Sequence, residues 1–459
     1  MKVMAEYIGG EIGVRWKHIL SLNLVIILTL IISGKTVKDT SHVPNFTILP
    51  ARFNKAKIVY HPKDKFLAAL FLKELTLRTE DEYECEKVKV EYGARLEVWE
   101  LDKNMYPCRL LFRESEQPWG VAAIIPHLIW VGDNLLYTVL THFPSLTHFQ
   151  SFKEVVEYAR RVIKDLKDPY ELRLWFPGAN RAKVVRKGIC GINIKGKEKI
   201  FPMPIEGQFL LLDPKDEWDK VISGMPREEI GHRYWWERII QICKIEGQEV
   251  KVIKTLHVKG VAIDYEVIGF TSNGRLLVLR AYFNPQMIKS LCFFGGPPYL
   301  LVDLTSGSVS VWEFGNKISE EIGIEFGLLS TNEIIVLKGI GEALNIKYVD
   351  LEGNILKEYT ITDEQFKKMI GYDASERLKK LTGVVAPFYE AWTSDGRKLV
   401  MHDCGYVWSL DINSLTMKLI TKGIWIEKAL QWIGNRYLVI QWCPYPHKVT
   451  LSWGILKID

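Results

Sequence analysis

The sequence predicts an all-β fold, a seven-bladed β-propeller, and three observations carry that prediction. Residues 385–420 hold four short apolar runs separated by three turn signals, which makes one four-stranded blade in about 35 residues. Similar runs and turns recur from Lys57 to Asp459. The last repeat is one strand short, and an apolar segment near the other end of the chain, Phe46–Pro50, is available to complete it. Such a closure leaves no open sheet edge. Six blades is the alternative count, should the third repeat not form a blade.

Composition sets the bounds. The 459 residues are 47% hydrophobic and 25% charged, which is globular and excludes disordered and collagen-like classes. The formal net charge of +5 is spread along the chain. No compact Lys/Arg cluster is interleaved with aromatics, so no nucleic-acid partner is expected.

The N-terminus supplies an address. Residues 18–34 carry no formal charge, with Lys2, Arg15 and Lys17 before them and Lys35 and Lys38 after. Their length is at the short edge of a membrane-spanning helix. They read as a transmembrane signal anchor that leaves residues 1–17 in the cytoplasm and the propeller, residues 42–459, outside it. Cleavage near Ser33-Gly34 is the competing reading and would make the protein secreted. Either way the sequon Asn45-Phe46-Thr47 meets glycosylation machinery where such machinery exists.

In blade one, Ala56–Tyr60 and Phe66–Leu72 flank the turn His61–Lys65, and Arg95–Leu101 and Arg109–Phe112 complete the four. The acidic-basic run Arg78–Lys89 reads as a solvated loop. Blade two is Leu128–Val131, Leu135–Leu140, Glu171–Phe176 and Ala182–Arg186. Within it Ser151–Lys167 has apolar positions at helical spacing behind a Ser151/Glu154 capping box, which predicts a helical insert. Blade three is the least legible, with only Glu237–Ile245 and Glu249–His257 clear. Blade four is Tyr265–Phe270, Arg275–Tyr282, Tyr299–Leu304 and Val309–Phe314. Blade five is Ile322–Leu329, Glu333–Leu337, Asn345–Leu351 and Ile355–Ile361, followed by a second helical insert at Asp363–Leu381. Blade six is Phe388–Trp392, Arg397–Met401, Tyr406–Asp411 and Thr416–Ile420. Blade seven offers Ala429–Ile433, Arg436–Trp442 and Val449–Ile458.

Blade six carries Trp392-Thr393-Ser394-Asp395-Gly396, then Leu410-Asp411 and Leu419-Ile420-Thr421. This resembles the TolB-type (WD40-like) propeller repeat, with Ser394 where that family prefers Pro. Thr271-Ser272-Asn273-Gly274 and His61-Pro62-Lys63-Asp64-Lys65 are weaker echoes. The resemblance implies a fold and no activity, because such repeats serve binding proteins and peptidase-associated propellers alike. No G-x-S-x-G occurs, and the repeats leave no residues for a hydrolase domain.

Function is sought on loops. The second-to-third-strand connections are long, and they share one face with the Asp363–Leu381 insert, so that face is expected to hold a ligand or partner. Its candidate residues are His402, Asp403, Tyr445 and His447 from adjacent blades, with Phe294 and Tyr299 from the Phe293–Tyr299 turn. His402, Cys404, Cys443 and His447 offer metal-ligand types but match no known ligand spacing, so neither a metal nor a cofactor is expected. His142 and His148, five residues apart in one connection, read as ordinary loop residues. The seven cysteines, with no CxxC, read as small buried hydrophobes. The 15 tryptophans, among them Trp99, Trp312, Trp408 and Trp453, read as packing between blades.

The innermost strands offer few ionisable groups: Tyr265, Glu266, Glu390 and Glu427. The reading is therefore a membrane-anchored, extracytoplasmic propeller that binds a protein or glycan partner. The alternative is a cell-envelope enzyme, a glycan lyase or hydrolase, with acid-base groups converging in the central funnel. Two carboxylates, or a histidine with a carboxylate, lining that funnel would favour the enzyme.

Overall fold

Twenty-eight strands pair into seven antiparallel four-stranded sheets among the described residues. The computed structural model describes residues 45–63, 65–78, 87–114, 128–140, 170–187, 200–226, 237–261, 265–281, 299–319, 324–340, 343–370, 387–403, 405–444 and 451–458, with Glu154, Glu157 and Glu229. Asn45–Asp459 forms one unit.

Six sheets are consecutive in the chain. Blade one is β2 (Ala56–Tyr60), β3 (Phe66–Arg78), β4 (Lys87–Leu101) and β5 (Pro107–Glu114). Blade two is β6 (Leu128–Val131), β7 (Asn134–Leu140), β8 (Tyr170–Trp175) and β9 (Lys183–Lys187). Blade three is β10 (Ile200–Pro202), β11 (Gln208–Leu212), β12 (Glu237–Glu246) and β13 (Glu249–Lys259). Blade four is β14 (Tyr265–Phe270), β15 (Leu276–Ala281), β16 (Tyr299–Asp303) and β17 (Val309–Val311). Blade five is β18 (Ile324–Leu328), β19 (Ile334–Ile340), β20 (Ala343–Val349) and β21 (Ile355–Thr362). Blade six is β22 (Pro387–Trp392), β23 (Lys398–Asp403), β24 (Tyr406–Asp411) and β25 (Thr416–Lys422).

The seventh sheet joins the two ends of the propeller. Its order is β26 (Ile424–Ile433), β27 (Tyr437–Pro444), β28 (Ser452–Lys457) and then β1 (Phe46–Ile48). Phe46 pairs with Leu456 and Ile48 with Gly454, as the unpaired apolar segment predicted. Gly454 is the residue that permits it, because a Cβ there would lie 2.5 Å from the Phe46 ring. That ring meets Trp442 edge-on at 4.9 Å. A short 3-10 helix, Ala51–Lys55, then carries the chain into blade one and buries Phe53.

The core lies between blades, which is why the strands read as apolar on both faces. Tyr60, Phe53, Tyr437 and Trp453 pack between blades seven and one, and Leu70, Phe112, Trp130 and Trp175 between one and two. Trp99, Trp312, Trp408 and Trp453 are each under a tenth exposed, in line with a packing role.

Three local expectations are corrected. The Arg78–Lys89 run is not simply a loop, because β3 and β4 continue as a ribbon whose register runs to Arg78 opposite Lys87. Val309–Phe314 is not one strand. It stops at Val311, and Glu313–Ser319 is helical because the Trp312 ring turns into the next blade, where its Nε1 donates to the Leu351 carbonyl at 2.7 Å. Blade three holds a helix that no spacing announced, Lys215–Ile222, tied down by Trp218 Nε1 donating to the buried Asp213. The insert after blade five begins as a helix, Asp363–Ile370, with Thr362 and Gln365 in a reciprocal capping box. In the first predicted insert Glu154 and Glu157 are helical, and its other residues lie outside the described ones. No helix among the described residues is long and apolar enough to cross a membrane, and the span expected at 18–34 lies outside them.

Candidate functional site at the turn face

The first-to-second-strand turns build the site from a repeated hydrogen-bond pattern. In blade six Thr393 Oγ1 donates to Asp395 at 2.6 Å and accepts the Lys398 amide, while the Arg397 amide donates to the same carboxylate. In blade four Thr271, Asn273, Leu276 and Arg275 repeat those bonds. A left-handed residue must follow, and Gly396 (φ 69°) and Gly274 (φ 66°) supply it. Blade five uses Asn332 (φ 67°), a residue whose short polar side chain tolerates that region.

Each turn also grips the next. The Asn332 side chain accepts the Ser272 amide of blade four. Ser330 donates to the Ser394 carbonyl, and Ser394 Oγ bonds Asn435 of blade seven at 3.0 Å. Gln431 then closes the ring, accepting the Tyr60 amide at 3.1 Å and donating to the Tyr60 carbonyl at 2.9 Å.

Blades one and two are joined by His61, which is fully buried. Its Nδ1 accepts the Lys63 amide at 3.0 Å, so Nε2 carries the proton and donates to the Gly132 carbonyl at 3.1 Å. The ring meets Trp130 edge-on at 5.1 Å and Phe66 at 5.5 Å. Burial holds the imidazole below its ordinary pKa, against the pull of the Asp133 carboxylate 3.2 Å away. Outside this joint Lys65 pairs with Asp133, and Lys63 reaches Glu206 of blade three at 3.0 Å.

Inside this belt the first strands of six blades end around a cavity of about 680 Å³. Its wall is apolar: Pro62 from blade one, Trp130 from two, Pro204 and Ile205 from three, Phe270 from four and Leu329 from five. Among the described residues that line it, Glu206 is the one that carries a charge. Ile205 stands 37% exposed at the rim and packs over Gly274, where a Cβ would come within 2.9 Å of its Cδ1. Among the described residues that line this mouth, no two are carboxylates. Among the described residues no three His, Cys, Asp or Glu side chains are grouped to hold a metal.

Of the residues picked from the sequence, Tyr299, His402 and Asp403 are described, and they are not among those lining this cavity. Tyr299 is 4% exposed, packed edge-on against Trp312 and Phe326 in the core between blades four and five, and burial raises its phenol pKa. His402 lies near the end of β23 with its ring 5.2 Å from Trp425 of blade seven, whose strand partner is Cys443. Asp403 closes β23 opposite Tyr406. Phe294, Tyr445 and His447 lie outside the described residues, as do His142 and His148. Of the innermost-strand groups, Tyr265 is buried, and Glu266 and Glu427 are exposed. Cys243 and Cys443 are buried, and burial pushes the Cys243 thiol up to about 12, whereas Cys108, also expected to be buried, is exposed because it sits on the outer strand β5.

Sequence reasoning passed over the cavity because short turns read as scaffold. A signal was present in Pro202-Met203-Pro204-Ile205-Glu206-Gly207, where apolar residues occupy a turn that polar ones ordinarily fill.

No family model and no curated protein matches the chain. Solved structures similar to it include the β-propeller domain of Myceliophteria thermophila Cps50 (Swd1), at 11% identity and TM-score 0.39, covering 90% of this chain and 100% of that one. TolB from Acinetobacter baumannii is similar at 11% identity and TM-score 0.29, covering 85% of this chain and 80% of that one. Oligogalacturonate lyase in complex with manganese is similar at 8% identity and TM-score 0.37, covering 88% and 98% respectively. The strand pairing itself makes the chain a seven-bladed β-propeller.

Proposed function

We propose that this chain is a binding module that takes an apolar stretch of a protein partner into the mouth where its first-to-second-strand turns converge. The observation that carries the reading is the wall of that cavity, built by blades one to five from prolines, Trp130, Phe270 and aliphatic side chains, with Gln431 from blade seven. Burial of apolar partner surface contributes about 25 cal/mol per Å², so such a wall rewards a hydrophobic anchor. A glycan needs a denser set of directional polar groups than this wall offers, which favours protein over glycan. The charge-poor stretch at 18–34 supports a location at a membrane with the propeller outside the cytoplasm.

Selection of peptides from a displayed library against the purified propeller tests the site. Ile205→Asp is expected to weaken the selected peptides at least tenfold, while Leu451→Asp, just before β28 on the opposite face, leaves them unchanged. The reverse pattern would move the site to the opposite face and sink the proposal.

A further inference from the structure

We propose that His61 is a proton-operated latch for the cavity mouth: while the imidazole is neutral it holds the turn that forms the blade-one wall, and its protonation releases that turn. This deepens the binding reading above, since it concerns access to the same cavity.

The geometry leaves the ring a single fitting state. With Nδ1 accepting the Lys63 amide and Nε2 donating to the Gly132 carbonyl, both ring nitrogens are committed. A second proton can only go on Nδ1, where it would face the Lys63 N–H, donor against donor. Either the proton is refused or the Lys63 bond breaks. When it breaks, the tip of the turn at Pro62-Lys63 loses its tie to the ring, while the His61 amide bond to the Phe66 carbonyl and the Leu101 amide bond to the Lys65 carbonyl keep hold of its base. Pro62, which lines the cavity, belongs to that turn, as does Lys63 with its link to Glu206. The Lys63–Glu206 pair is 56% and 80% exposed, so it contributes under about 1 kcal/mol and cannot hold the turn alone.

Charged groups face the ring from both turns. Asp133, on the β6–β7 turn, favours the imidazolium, while Lys65, on the ring's own turn, opposes it. Phe66 and Trp130, packed against the ring, carry no charge. Burial outweighs Asp133, so the neutral latched state prevails at neutral pH and acid opens it.

The test needs no partner, so its outcome is independent of whether the cavity binds one. Hydrogen exchange of the segment 62–66 in the full chain, corrected for intrinsic rates, is followed from pH 7.5 to 5.0. At least a tenfold loss of protection is expected there, with none in the segment 273–276 of the blade-four turn. His61→Asn keeps an acceptor for the amide two residues on, as asparagine does in turns, but cannot titrate, and its exchange should not vary with pH. Asp133→Asn, which removes the group favouring the imidazolium, should move the midpoint of opening to lower pH; this second variant decides the matter if His61→Asn does not fold. Protection that stays constant in the native chain, a parallel loss at 273–276, or a midpoint indifferent to Asp133→Asn would overturn the latch.

Discussion

Gly327 shows how a single missing side chain sets the spacing of two blades. A Cβ there would lie 2.3 Å from the Trp392 ring, so the first strand of blade five is notched to receive the tryptophan that opens the blade-six turn. Gly327→Ala should therefore cost about 2 kcal/mol through overpacking, read as a lower denaturation midpoint with an unchanged m-value. Thr393 acts at the same scale through hydrogen bonds. Its hydroxyl both accepts the Lys398 amide and donates to Asp395, and Thr393→Val leaves that amide without its acceptor, a loss of about 1–2 kcal/mol by urea titration. His61 couples stability to pH. The unfolded chain takes up the histidine proton near pH 6.5, whereas the folded protein, with the ring buried, resists it to lower pH. The unfolded state then binds more protons, so stability is full above about pH 6.5 and falls as the pH drops below it. His61→Asn should flatten that slope.

Among elements, β1 has the largest consequence for its size. Three residues from the start of the described chain complete the blade that the other end leaves unfinished, and Phe46 is 7% exposed beneath them. Phe46→Ala should lower stability by about 3 kcal/mol, measured by thermal unfolding. A variant that melts like the native chain would mean that blade seven holds without its fourth strand. The β3–β4 ribbon illustrates a different rule. Its charged sequence pointed to a loop, yet the strands of blade one continue to Arg78 and Lys87, because cross-strand pairing beyond the core needs only a matched register. The helix at Glu313–Ser319 follows from a tertiary hydrogen bond at Trp312 rather than from its own spacing, which is why the local pattern missed it.

At the largest scale Asn45–Asp459 is a closed ring in which each blade buries its neighbour. Stability resides between blades, in aromatic and aliphatic contacts. The proposed recognition site lies at the ends of the strands, where backbone turns and a few side chains meet. The proposed placement at a membrane is tested at this scale too. Separation of cell membranes followed by a carbonate wash should leave the full chain in the membrane pellet, and recovery in the wash or the cytosol would remove the anchor. Expression from residue 42 onward should release the same propeller in soluble form.

Much of the architecture was open to local reading because six of the seven blades are written in consecutive residues. Turn chemistry at Thr393–Gly396 and Thr271–Gly274, apolar runs of strand length and the unpaired Phe46–Pro50 needed no knowledge of distant contacts. The cavity could not be read in that way. Its wall takes residues from each of six blades, from one in blade seven to seven in blade three, spanning Val59 to Gln431, and no periodicity links positions so far apart in the chain. His61 looked like an ordinary turn residue for the same reason: its partners Gly132 and Trp130 are some seventy positions away. Short-range sequence patterns determined most of the blades and offered the strand that closes the ring, because strands and turns are local. Only the ring brought the turns together, because convergence on a common axis is a property of all the blades at once.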